Sequence, residues 1–400
     1  IMQIPRFIQI HTLHTYPAAL LNRDDAGLAK RLPLGDAVRT RISSQCLKRH
    51  WRVTEDAFAL ANLDVPMGIR SRGTLELIAN RLQENGLTAP LAQAAAEALR
   101  DGGLLDKGGK DKKGEDALKT GQAVLLGKPE IDYLVNRCTE LAAENADEKA
   151  LKAAIGEWLK GKDEKKNIEA LKHGSGLESA LFGRMVTSDL LTSRDAAVYV
   201  AHAFTVHQAQ VENDYFTVVD DLLQDAGELG SAGIFDTELA SGLYYGYVVI
   251  DVPQLVQNLE GVDFKKCFAD GASPEQRALA ARVVQNLLHL IATVSPGAKR
   301  GSTAPFDWAK FMLVEAGDWQ PRSLAAAFHN ALSLEDSSAP IRQRAVGKLT
   351  AEIAAMDDAY GAPLARRFLS VDPVSVPGAE CLNLTQLADW AKEVIEQGAC

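Results

Sequence analysis

The middle of this chain reads differently from its two ends, and that change of pattern limits the possible folds more than any other feature. Phe7 to Leu13 (Phe-Ile-Gln-Ile-His-Thr-Leu) alternates apolar and polar residues, the period-two mark of a half-buried strand. From about 54 to 195 the alternation is lost. Ala, Leu and charged residues recur there at helical spacing, and helices are expected near 74–84, 90–100, 129–145 and 148–160. Strand patterns return at Ala197–Val206, Leu243–Val252, Trp308–Glu315 and Arg366–Val371. A helix is expected from 273 to about 294, with Ser273 as N-cap, Pro274 in the first turn and Gln276 completing a capping box. Two further helices are expected beyond Pro340. With the long helical stretch set aside, the order is β-α-β-β-α-β, the ferredoxin-like order shared with RNA-recognition motifs. The expectation is an α+β chain whose core is interrupted by a helical insertion.

The second feature is a local reversal of charge. The 400 residues carry a formal net charge of -10, yet seven Lys and Arg stand between Lys30 and Arg52 against the single acid Asp36. A basic stretch inside an acidic protein suits a local polyanion site rather than general adhesion to nucleic acid. Ser43 or Ser44 can cap a helix start, and no Pro or Gly follows up to Arg52. On that helix Gln45, Lys48, Arg49 and Arg52 share one face, while Leu47 and Trp51 share another that can anchor it to a core. The N–H groups at its start would also attract phosphate. From charge alone, an ordinary solvated amphipathic helix fits as well as a phosphate-binding one.

Other classes find little support. The five cysteines have no C-x-x-C spacing and an odd count, against both a disulfide framework and a zinc site. His202 and His207 would point to opposite faces of a strand, so a shared metal is not expected, and no cofactor is expected. No apolar run approaches spanning length and no leader is evident, so the expectation is a cytoplasmic protein with no membrane partner. The Gly/Lys/Asp stretch 101–116 reads as a solvated loop.

Several motifs occur in a recognisable order. Leu21-Asn-Arg-Asp-Asp25 precedes Arg41-Ile-Ser-Ser-Gln-Cys-Leu-Lys-Arg49. Then come Gly183-Arg-Met-Val-Thr-Ser188, Ala201-His-Ala-Phe-Thr-Val-His-Gln208, Tyr215-Phe-Thr-Val-Val-Asp-Asp221, Ser241-Gly-Leu-Tyr-Tyr245 and Pro296-Gly-Ala-Lys299. Together they resemble the CasC family, the Cas-seven-type backbone subunit of the type I-E CRISPR surveillance complex, Cascade. The resemblance implies a ferredoxin-like, RRM-like palm over 1–53 and 196–400, helical fingers inserted over 54–195, and a protruding thumb hairpin at about 205–240. It implies a binding protein and not an enzyme, with copies joined head to tail along one CRISPR RNA. Further implied partners are target DNA paired to the guide and Cas-five-type, Cas-six-type, small and large subunits.

Guide sequences vary, so contacts of this kind fall on phosphate and ribose. The resemblance assigns RNA contact to Arg23, Lys30, Ser43, Gln45, Lys48, Arg49 and Arg52. It gives Tyr215, Phe216 and Thr217 the thumb's wedge against the RNA, with Met185 as the finger residue opposite; Tyr stands at 215 where the family pattern has Trp. Arg39 and Arg41 could be structural instead. Two other functions stay open: metal-dependent cleavage of target RNA through Asp24 or Asp25, as in type III backbone subunits, and a free-standing RNA-binding protein.

Overall fold

A computed structural model of the protein describes residues 3–103, 118–120, 123–161, 167, 171, 173–185, 191, 193–219, 231–361 and 364–400. Most of the Lys-rich 101–116 stretch and residues 220–230 of the expected thumb lie outside them.

The chain opens with β1 (Phe7–Ala19), followed by a tight hairpin of β2 (Arg31–Leu34) and β3 (Ala37–Ile42) and the basic helix α1 (Ser44–Val53). Next come β4 (Gly68–Ser71), α2 (Thr74–Glu84), α3 (Ala89–Asp101), β5 (Val124–Gly127), α4 (Lys128–Glu144), α5 (Glu148–Lys160) and α6 (Leu177–Phe182). Short strands β6 (Val198–Val200) and β7 (Ala203–Thr205) lead to β8 (Gln210–Val219) and the long β9 (Ser231–Asp251). The chain closes with α7 (Val252–Glu260), α8 (Glu275–Thr293), a single turn α9 (Arg300–Thr303), β10 (Phe311–Gly317), α10 (Ile341–Tyr360), β11 (Ala365–Ser370), β12 (Ala379–Cys381) and α11 (Leu384–Gln397).

Two compact units result. The first comprises 1–60, 199–252 and 281–400; the second comprises 61–198 and 253–280. The first holds a sheet in the order β12-β11-β10-β1-β9-β7-β3-β2. Within it, β10-β1-β9-β7 is the 4-1-3-2 arrangement of a ferredoxin-like core, every neighbouring pair antiparallel. The mixed α+β architecture expected from the sequence is present.

Several local differences have physical causes. The β2–β3 hairpin was not foreseen; its two-residue turn rests on Gly35 at φ +60°, where a Cβ would strike the His329 carbonyl oxygen. The 54–195 region also contains a two-stranded ribbon, β4 with β5, joined across a long separation that periodicity does not reveal. The expected 197–206 strand is two pieces, β6 and β7. The 308–315 strand begins at Phe311 instead. Asp307 is tied to Ser295 and accepts the Thr15 N–H at 2.7 Å, which holds Trp308 outside the ladder. In α8 it is the Glu275 N–H that meets the Ser273 hydroxyl, at 3.2 Å, in place of the expected Gln276 pairing.

β1 lies at the centre of the sheet and alternates between its two faces. Thr12 and Tyr16 face a layer formed by Leu47 and Trp51 of α1 with Ile291 of α8. On the other face Leu13, Tyr245, Phe311 and Leu313 pack beneath Ala345, Val346, Leu349 and Ile353 of α10 and beneath Leu324 and Phe328. An RNA-recognition motif leaves that second face open to stack bases. Here it is closed.

The closed face contains an ionic network. Glu315 is completely buried and receives Arg322 through both Nη atoms, at 2.6 and 3.0 Å, and Arg366 Nε at 2.6 Å. Arg366 also reaches Asp357 of α10 at 2.7 Å. His11 Nε2 donates to Glu315 at 3.2 Å, and His11 Nδ1 accepts from the Tyr245 hydroxyl at 2.9 Å. Burial alone would raise the Glu315 carboxyl, but hydrogen bonds from His11 and Arg322 hold it well below the usual carboxylate range. Burial pushes the His11 imidazole down and outweighs the pull of Glu315, so it sits neutral.

The second unit has its own core, built from α2, α3, α4 and α5 around Leu75, Ile78, Leu99, Leu134 and Ile155. Those helices fall where their Ala/Leu periodicity placed them.

Both perturbed groups make the fold acid-sensitive. A group neutral or ionised in the fold below its ordinary titration point loses its stabilising contribution as the unfolded chain takes up protons. For His11 that loss starts as pH falls through about 6.5, and for Glu315 as it falls through about 4.5. Glu315→Gln leaves the buried Arg366 and the half-buried Arg322 guanidinium groups short of charge and is expected to cost about 3–5 kcal/mol. Urea unfolding at neutral pH measures this; an unchanged midpoint would show that the network contributes nothing.

Candidate nucleic-acid interface

The basic helix is fixed by its own first residues and by the loop before it. Ser43 is the N-cap: its hydroxyl accepts the Cys46 N–H at 3.3 Å. Its own N–H donates to Asn22 Oδ1 at 2.9 Å, which ties the Leu-Asn-Arg-Asp-Asp loop to the helix start. The Ser44 N–H donates to His202 Nδ1 at 3.1 Å. The N–H groups of Ser43, Ser44 and Cys46 are therefore engaged within the chain.

Trp51 is buried, and Leu47 packs against the cluster of Tyr16, Leu21, Ile42 and Tyr244. This rotates the opposite face outward. Gln45 and Arg49 are exposed, and Lys48 and Arg52 are half-buried. The amphipathic division expected from spacing is present.

The loop carries its cations to the same region. Arg23 is exposed and pairs by a β-bridge with Ala29. Lys30 donates its N–H to the Asn22 carbonyl at 3.0 Å, and its own carbonyl accepts the Arg41 N–H at 2.8 Å. Asp24 shapes the turn: its Oδ1 accepts from the N–H groups of Ala26 and Leu28 at 3.0 and 2.9 Å. Asp25 is exposed. Arg39 is structural, as one of the two readings had it. It is completely buried and donates to the carbonyls of Thr205 and Phe328 at 3.0 and 2.9 Å. Arg41 faces outward and its Nε donates to the Arg31 carbonyl at 3.2 Å.

Two cations beside α1 were not singled out by sequence. Lys299 and Arg300 are exposed, and Arg300 is close enough to lower the proton affinity of His50 after the larger effect of burial. Their loop is anchored by the Ala298 N–H on the Leu20 carbonyl at 2.8 Å. The Pro296-Gly-Ala-Lys299 motif was the available signal.

A two-stranded arm of β8 and β9 leaves the sheet at Ala240, which pairs with Ala19 of β1 and Val211 of β8. Tyr215 is 64% exposed and Phe216 is 38% exposed on this arm, so neither is a core aromatic. Thr217 pairs with Ile234 in the ladder. The Lys299 ammonium lies 5.4 Å from the Phe216 ring centroid and donates to Thr237 Oγ1. Glu238 at the arm's root accepts the Ala29 N–H at 2.8 Å and an Arg31 guanidinium hydrogen bond. Loop, arm root and the 296–303 segment therefore converge around α1.

Met185 belongs to the second unit and is 96% exposed. Its neighbour Arg184 is buried and gripped by both oxygens of Glu130, at 2.6 and 2.8 Å. Gly183, at φ +77°, makes the turn between helix and bridge, where a Cβ would approach the Ala196 N at 2.9 Å. With Arg184 fixed inward, the next side chain projects out.

Among the described residues, no group of three or more His, Cys, Asp or Glu is placed to hold a metal ion, and no helix is long and apolar enough to cross a membrane.

Known structures share this fold. A chain of a solved CRISPR RNA-guided surveillance complex, pre-nicking, is 27% identical, with a TM-score of 0.76 over 97% of this chain and 100% of that one. A chain of another CRISPR RNA-guided surveillance complex shares the fold at 24% identity, with a TM-score of 0.68 over 97% and 99% of the two chains. No curated protein matches the sequence. The family model for CT1975-like proteins matches residues 8–392. The fold and this nearly complete match lead to one assignment: the chain belongs to the CT1975-like family.

Proposed function

We propose that this chain is an RNA-binding backbone subunit of a CRISPR surveillance complex of the type I-E kind. It holds CRISPR RNA by phosphate and ribose and presents the guide for pairing with target DNA. Successive copies join head to tail along the RNA, with length limited by the RNA and by capping subunits. The chain acts by binding, without cleaving.

One observation carries this reading. The stacking face of the sheet is covered by α10, while Arg23, Lys30, Arg41 and the outer face of α1 share one surface around the arm's root. A protein built this way meets a strand through its backbone charge and not through base stacking on the sheet. The likeness to a surveillance-complex chain supports the same reading. Tyr215 and Phe216 on the arm suit a wedge that displaces a base, since unstacking costs a few kcal/mol and needs a stacking substitute. Asp24 spends its carboxylate on the turn, which favours binding over cleavage at that loop.

Labelled single-stranded RNAs of increasing length and unrelated sequence provide the test, with and without magnesium or manganese. Intact RNA, little sequence preference and stepwise stoichiometry are expected. RNA shortened only in the metal lanes, and protected in Asp24→Asn or Asp25→Asn, would favour cleavage; a single small complex on long RNA would favour a free-standing binder.

Arg23→Ala and Lys48→Ala should each weaken binding for all sequences. Each lost phosphate contact lowers the single-strand salt slope by about 0.7, so an unchanged slope removes that residue from the RNA path. Phe216→Ala should leave assembly intact but change the chemical-probing pattern along bound RNA; a wild-type pattern would show the ring to be idle.

A further inference from the structure

The pairing of β3 with β7 sets His202 against the start of α1. Ile42 pairs with Ala203 and Arg41 with Phe204, so the residue before β7 meets the residues that follow β3. His202 is exposed, and its Nδ1 accepts the Ser44 N–H at 3.1 Å. A backbone N–H can only donate, so that ring nitrogen carries no proton. Arg41 Nη1, also only a donor, lies 3.5 Å from the same atom. The neutral ring must then carry its hydrogen on Nε2, the nitrogen not engaged by α1.

We propose that His202 contacts the RNA of the preceding reading as a neutral donor, its Nε2–H directed to a phosphate oxygen beside Arg41 and Lys30. The inference rests on that reading and adds a residue to it. The charged groups acting on the ring are Arg41 from β3 and Lys30 from the loop; burial, then these two cations, lower the ring's proton affinity. A neutral donor here adds direction to a site rich in flexible cations. Ser44 fixes the ring, so the donor is held in place before the strand arrives.

The contact differs from a cationic one in a measurable way. His202→Asn retains an acceptor where Nδ1 stood and removes the distal N–H. It should melt as the wild type does, bind short single-stranded RNA about tenfold more weakly, and keep the wild-type salt slope. His202→Gln, whose amide nitrogen reaches the Nε2 position, should bind within about threefold of the wild type. Nitrogen-15 spectra of histidine-labelled protein should show His202 as the Nε2–H tautomer near neutral pH. The proposal is overturned by an Nδ1–H tautomer, by unchanged affinity in His202→Asn, or by a slope reduced by about 0.7, which marks a cation. If the wild-type protein binds no RNA, the functional reading itself fails, and the proposal fails with it.

Discussion

A carboxylate with no solvent exposure, set in the middle of a sheet, has to be matched charge for charge. Glu315 is that group, and the closed face of the sheet is organised around it. Arg322 brings in the segment that follows β10, and Arg366 brings in β11 and, through Asp357, α10. Such a network offers weak net stabilisation, because desolvation opposes the Coulomb attraction. Its stronger effect is positional: each partner must sit where it does or leave an uncompensated charge. α10 is fixed over a face that RNA-recognition motifs leave open, and in the proposed function contact with a nucleic-acid strand falls instead at the edge formed by the hairpin, the loop and α1.

At that edge the acceptors are used within the chain and the cations are left facing outward. Asn22, Ser43, Asp24 and His202 accept backbone N–H groups, and each holds a turn or a helix start in place. Arg23 and Arg49 face solvent from the scaffold so formed. Long cationic side chains on a rigid base suit a polymer whose charge is regular and whose bases vary.

Much of this was legible in the sequence where the signal is local. The helices of the second unit followed their Ala/Leu periodicity closely, and the Leu47/Trp51 anchor followed from spacing alone. The β2–β3 hairpin escaped because it is short and charged, and the β4–β5 ribbon because its strands are distant in the chain. Trp308 was read as a strand residue since it is apolar and in phase, yet the Asp307–Ser295 contacts exclude it from the ladder. The basic residues of the interface were visible as charge. The places of Lys299, Arg300 and His202 were not, because strand pairing and loop docking bring them to α1. Asp24 invited a chemical role by type; only the turn geometry reveals its structural one.

The long strand β9 belongs to two structures at once. Its C-terminal half is flanked by β1 in the central sheet, and its N-terminal half is flanked by β8 in the arm. The arm is thus a cantilever with its fixed end built into the core, about 30 Å long for the ten residues of β8. Near Ala240 the β1–β9 register shifts between Tyr16 and Ala19, so the arm leaves the sheet at an irregularity in the ladder. The direction in which the arm projects therefore depends on the twist of the sheet and on that local irregularity, both of which belong to the core.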